Sequence, residues 1–128
     1  MIKPQEFNYR ENRWQDLYAH LKSSGFDVYS PAQKVGECIS PYLVIKNDGG
    51  FLHPSYSTTI DQYSIYCYVP KNKYSELETL VRKVKDSMRE LYPMFQIYGQ
   101  ELASFYDDII KAHYISIEYK NYKKVQFM

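Results

Sequence analysis

Residues Thr59 to Leu91 constrain this chain more than any other stretch, because they read as a strand running through a short turn into an amphipathic helix. Ile60-Asp-Gln-Tyr-Ser-Ile-Tyr-Cys-Tyr-Val69 is rich in β-branched and aromatic residues. Its alternation puts Tyr63, Ile65, Cys67 and Val69 on one face. Pro70-Lys-Asn-Lys-Tyr74 breaks the strand, since proline lacks the N–H that a central ladder needs. Ser75 and Glu78 then have the spacing of a capping box, which satisfies two orphan N–H donors at a helix start. Leu77, Leu80, Val81, Val84, Met88 and Leu91 follow at three- and four-residue steps and share one helical face, and Pro93 stops the run. A helix with that stripe needs a sheet to lie on, and the preceding strand is the nearest candidate.

The segments on either side extend the same pattern. Asn8 and Glu11 form a second N-cap pair opening a helix over Tyr9 to Ser24, with Trp14, Leu17, Tyr18 and Leu21 as its apolar stripe and Gly25 as its C-terminal stop. His20 lies beside the stripe, as a solvent-facing residue. Phe26 to Ser30 reads as a first strand ended by Pro31, and Ala32 to Ser40 as a loop. Pro41-Tyr-Leu-Val-Ile-Lys46 is a continuous apolar run of strand length, consistent with a strand buried on both faces. Asn47-Asp-Gly-Gly50 is a turn signal. With Phe51 to Thr58 it predicts a connection of about a dozen residues between two strands that should pair, where hairpin loops normally take two to five. That connection fits a mobile loop or an arm ordered by a neighbouring subunit. Met94 to Tyr98 predicts a short strand, Gln100 to Asp108 a loop or half-turn, and Ile109 to Tyr122 a long final strand. Within it Ile109, Lys111, His113, Ile115, Ile117 and Tyr119 share one side, and the basic stretch Lys120 to Lys124 is expected to be solvated.

The order is α-β-β-β-α-β. It predicts a single α+β domain over residues 1–128, with an antiparallel or mixed sheet of four to five strands and both helices packed on one face. A chain of 128 residues is long enough for one real core. With no apolar leader after Met1 and no stretch of spanning length, it is expected to be cytosolic, with Cys38 and Cys67 reduced and Cys67 a buried hydrophobe.

Chemistry is sparse. Asp107 and Asp108 are the one adjacent carboxylate pair, and neighbours on a strand point to opposite faces, so they make a poor acid–base couple. His20, His53 and His113 have no metal-ligand spacing, and no local pattern supports Cys38 with His53 as nucleophile and base. Phosphate-loop, dinucleotide and nucleophile-elbow motifs are missing. The expectation is therefore no enzyme, no cofactor and no metal. A net charge of +1 provides no global field to gather nucleic acid. Tyr66, Tyr68 and Tyr74 with Lys71 and Lys73 loosely match a base-stacking platform, so a small nucleic-acid-binding module stands as an alternative. The 15 tyrosines fit a partner-covered face or half-exposed strand positions equally well.

Three stretches carry a family resemblance: Ser40-Pro-Tyr-Leu-Val-Ile45, Cys67-Tyr-Val-Pro-Lys-Asn-Lys-Tyr74 leading into the helix, and Ser104-Phe-Tyr-Asp-Asp108 leading to His113-Tyr-Ile-Ser-Ile-Glu-Tyr119. Together, over residues 10–122, they resemble the tail terminator and head–tail joining proteins of long-tailed bacteriophages and prophages of Gram-positive hosts. The resemblance implies a structural virion protein without an active site, made in the host cytoplasm and ending in the tail or neck. It implies a self-assembled ring, a hexamer, on the last ring of the major tail tube protein, with a face for the head-completion connector. DNA would only pass through the lumen, and no membrane is involved. Another neck or tail-completion role in the same gene region is the neighbouring alternative. A ring needs one patch meeting a different patch on the next copy. The sheet edge and long loop are the candidate interface: Asp48, Gly49, Gly50, Phe51, Leu52, His53 and Tyr56. Lys71, Lys73 or the lysines of the basic stretch Lys120 to Lys124 are candidates for the lumen, and Asp107 and Asp108 for a turn or a surface contact.

Overall fold

A computed structural model describes residues 13–52, 58–99 and 102–124 of the chain. Helix α1 (Arg13–Ser23) leads to strand β1 (Val28–Tyr29), then β2 (Tyr42–Leu52) and β3 (Thr58–Pro70). A 3₁₀ turn over Lys71–Glu76 feeds α2 (Leu77–Met88), which tightens into a second 3₁₀ turn at Arg89–Leu91. Strands β4 (Phe95–Ile97), β5 (Phe105–Asp107) and β6 (Ala112–Lys124) close the order. The six strands form one mixed sheet in the order β1-β2-β3-β6-β4, with β5 also paired to β6. Only β1 runs parallel to its neighbour. This is an α+β fold with both helices on one face.

The inward residues of β3 are those the alternation selects: Tyr63, Ile65, Cys67 and Val69 are all buried. Ile45, Ile65 and Ile117 lie opposite one another on three adjacent strands and floor the core. Leu77, Val81, Val84 and Met88 of α2 and Leu17 and Leu21 of α1 cover that floor, with Leu80, Leu91, Trp14 and Tyr18 packed at its margins. Trp14 also donates its indole N–H to the Ile45 carbonyl at 2.7 Å, which pins α1 to the β2 edge. His20 is not solvent-facing as expected. Its Nε2 lies 2.8 Å from the Ser87 carbonyl oxygen and 3.1 Å from Ser87 Oγ, tying the two helices together.

Several sequence expectations fail for identifiable reasons. Asn47 to Gly50 does not reverse the chain. Asn47 Oδ1 accepts a 2.6 Å bond from the Gly49 N–H, and Gly49 adopts φ +93. The result is a bulge at Asp48, after which β2 resumes pairing as far as Leu52. The dozen-residue connection therefore shrinks to 53–57, and His53 and Tyr56 lie outside the described residues, as do Asn8 and Glu11. No side-chain bond caps α2, whose N-cap is Glu76, because the 3₁₀ turn absorbs Ser75. Residues 105–107 are a strand rather than loop, too short to show a period. The final strand starts at Ala112, since Lys111 sits at φ +55 and ends the preceding turn, so Ile109 and Lys111 do not share the inward side. Nor is the stretch Lys120 to Lys124 a free tail: it pairs with Thr58 to Gln62, and Asn121 is fully buried.

Gly50 lies opposite Asp61. A Cβ there would stand 2.7 Å from the Ile60 carbonyl oxygen, a backbone atom that cannot move aside cheaply. Gly50→Ala is therefore expected to lower stability by roughly 1–3 kcal/mol, as overpacking does, which chemical denaturation will read.

Candidate functional site

The expected site residues fall at two ends of the sheet. Asp48, Gly49, Gly50, Phe51 and Leu52 occupy the bulged outer part of β2. Strand β1 pairs only with Leu43 and Val44, so this part has no strand on its outer side among the described residues. Lys46 to Gly50 are exposed, and Ser64 Oγ donates to Asp48 Oδ2 across the bulge. Lys46 lies 3.8 Å from the same carboxylate. A charged side chain and a bulge are devices that blunt an open strand edge.

Lys71, Lys73, Asp107 and Asp108 gather at the other end, where Pro70, Ala112 and Asp107 are register partners. Lys73 pairs with Glu76 at 3.7 Å, and Asp108 with Lys111 at 3.2 Å. Asp107 Oδ1 accepts the Ile109 N–H at 2.9 Å, so this carboxylate fixes a turn. Tyr74 rests against the His113 ring at 4.8 Å, and His113 lies opposite inward-facing Val69. The tyrosines that sequence proximity groups with Lys71 and Lys73 therefore divide: Tyr74 lies with the helix side, Tyr66 and Tyr68 on the open face.

What sequence proximity misses is a row on that open face. Tyr42, Tyr68, Tyr114 and Phe105 are successive register partners on β2, β3, β6 and β5. Tyr42 and Tyr68 stack at 5.0 Å, Tyr68 and Tyr114 approach to 5.2 Å, and Phe105 stacks on Tyr114 at 5.7 Å. Tyr29 of β1 completes the row edge-on to Tyr42. Exposure grows along the row: Tyr42 is buried with Cys38 and Ala112, Tyr68 and Tyr114 are half-buried, and Phe105 is exposed. The signal was Tyr66 and Tyr68 two residues apart on β3, but only cross-strand register makes a row of them.

Besides Tyr74, Leu102, Phe105 and Tyr106 around β5, two further sets of exposed apolar side chains stand out among the described residues. Cys38 N–H donates to the Ile110 carbonyl at 2.7 Å and brings the 30–41 loop to the β5–β6 turn. Val35 and Ile39 there are each 78 % exposed and Ile109 is 90 % exposed. The second group, Tyr92, Met94 and Ile97, flanks β4, which pairs with β6 at Tyr119 to Asn121. From Ala112 to Tyr119 the sheet advances roughly 23 Å, so the two groups stand well apart.

Reactive constellations are thin. Burial pushes the Cys38 and Cys67 thiols up, which keeps them neutral. A cleft of about 730 Å³ between the helices and the β1–β2 edge carries Asp27, Lys83, Asp86 and Glu90, but Asp86 is held by Arg89 at 2.6 Å. Among the described residues no three His, Cys, Asp or Glu side chains are placed to hold a metal ion, and no helix is long and apolar enough to cross a membrane. The chain matches no protein-family model and no curated protein.

Proposed function

We propose that this chain is a structural protein of a long-tailed phage that assembles as a ring at the end of the tail tube, terminating the tail and forming the head–tail joining interface. Its partners are further copies of itself, in a hexamer, the major tail tube protein on one side and the head-completion connector on the other. It is made in the host cytoplasm and resides in the virion neck. DNA meets it only in passage.

The observation that carries this reading is the pair of distant, dissimilar apolar groups: Val35, Ile39 and Ile109 at one end of β6, Tyr92, Met94 and Ile97 at the other. A two-fold dimer buries one self-complementary patch, whereas a ring needs two different patches that meet head to tail. A net charge of +1 lets six copies approach with little mutual repulsion.

Light scattering over a range of concentrations, with the chain alone and with the tail tube protein, tests it. Ile109→Asp and Ile97→Asp should each stop assembly at the monomer. Their equimolar mixture should form dimers and nothing larger, since one intact patch of each kind remains. A mixture that stays monomeric removes the head-to-tail arrangement. Phage lacking the protein yet carrying tails of defined length joined to heads would remove the neck role itself.

A further inference from the structure

The open face of the sheet is not flat. The 30–34 loop rises beside the aromatic row and walls a groove of about 220 Å³ floored by Tyr42, Tyr66 and Tyr68. That volume is below the range of small-molecule sites and suits one or two side chains. The wall is stiff: Ser30 N–H donates to Gln33 Oε1 at 2.8 Å, and Gln33 N–H returns to the Ser30 carbonyl at 3.1 Å. Ala32 in this wall is held at φ 66, a left-handed conformation that a non-glycine residue rarely adopts and that recurs at ligand clamps.

The charge that faces the groove is carried by Lys34, whose Nζ is held over the Tyr29 ring at 5.4 Å and the Tyr42 ring at 5.8 Å. Lys46 also reaches the lining, but its ammonium lies 3.8 Å from the Asp48 carboxylate. Among the described residues no carboxylate lines the groove. Asp107 lies close to Tyr42 and Tyr68, but it is turned to the Ile109 and Ile110 N–H groups. The floor meanwhile offers edges. Base stacking needs an open ring face, and Tyr42, Tyr66 and Tyr68 spend theirs on neighbouring rings. Tyr42 is buried, so the hydroxyls of half-buried Tyr66 and Tyr68 and the Lys34 ammonium remain, which are donors for carbonyl and carboxylate oxygens.

We propose that this groove binds an extended, carboxylate-bearing segment of a partner protein, with an acidic side chain seated on the Lys34 ammonium and the Tyr66 and Tyr68 hydroxyls taking its backbone carbonyls. None of the six residues of the two apolar groups lines the groove, although Lys34 and Ile110, which do, adjoin Val35 and Ile109.

A fluorescein-labelled Glu-rich peptide, followed by anisotropy and by amide shifts in nuclear magnetic resonance, tests the assignment. Saturable binding that weakens with salt is expected, with shifts confined to the 30–34 loop and the facing parts of β2 and β3. Lys34→Gln should weaken it about tenfold, the loss of one charge-assisted contact, and leave the melting temperature unchanged. Lys83→Gln, on the helix face, should do nothing. The proposal falls if millimolar peptide gives no localised shifts, or if Lys34→Gln binds as tightly as the parent. It also falls if an oligothymidylate displaces the peptide and binds more tightly with the same Lys34 dependence, which would assign the groove to nucleic acid.

Discussion

Val84→Asp is expected to abolish folding outright. Val84 is completely buried between α2 and the sheet, among Ile65, Cys67 and the other core residues. A carboxylate placed there would lose its water without gaining a partner. An unpaired buried polar group costs several kcal/mol, which is comparable with the whole stability of a small domain. Circular dichroism and size-exclusion chromatography should show a chain without cooperative melting. A soluble mutant with a sharp transition would contradict the placement of α2 on β3 and β6. Lys83→Asp, one residue earlier and exposed, is the control and should change stability by no more than about 0.5 kcal/mol.

Alkali should unfold the protein cooperatively. Tyr42 and Tyr63 are buried, and loss of hydration is the main cause pushing each phenol up to about 12. Tyr68 and Tyr119 move in the same direction for the same reason. The folded state thus disfavours the phenolate, and the unfolded chain releases these protons first as the pH rises. Stability is full below about pH 10, the ordinary tyrosine value, and is lost as the pH climbs toward the raised one. Tyr42 and Tyr63 therefore both withdraw stability across that window, by less than the full linkage value because solvent still reaches part of each phenol. The part of the phenolate absorbance that Tyr63→Phe removes should appear together with the loss of helical ellipticity. Tyr63→Phe should move the midpoint upward, provided the ring's edge contact with Phe95 is kept. Independent titration near pH 10 with the fold intact would show that these rings are not buried as described.

How much of this could be read from the chain depends on the range of the interaction involved. The β3–α2 unit was legible because its apolar residues repeat at fixed steps over many residues, and all four inward positions of β3 are buried. Strand β5 was not legible, since Phe105 to Asp107 is stabilised by the β6 edge rather than by any period of its own. Asn47 to Gly50 carries the composition of a turn, yet pairing with Asp61 and Gln62 overrides it, and the local preference is spent on a bulge. For His20, the decisive contact is 67 residues away. The candidate surfaces divide the same way. Tyr66 and Tyr68 were visible as a pair, but Lys34, Tyr29, Tyr42 and Tyr114 reach them only through sheet register and a loop that folds back.

Strand β6 has one more consequence. It is the interior strand that β3, β4 and β5 all share, yet it follows every one of them along the chain. During synthesis from the amino end, β3 therefore waits with one whole ladder of donors and acceptors unmet until residue 124 has left the ribosome. The nascent chain spends that interval as a sticky hairpin, and slower elongation between residues 70 and 112 would increase the fraction captured by chaperones or lost to inclusion bodies.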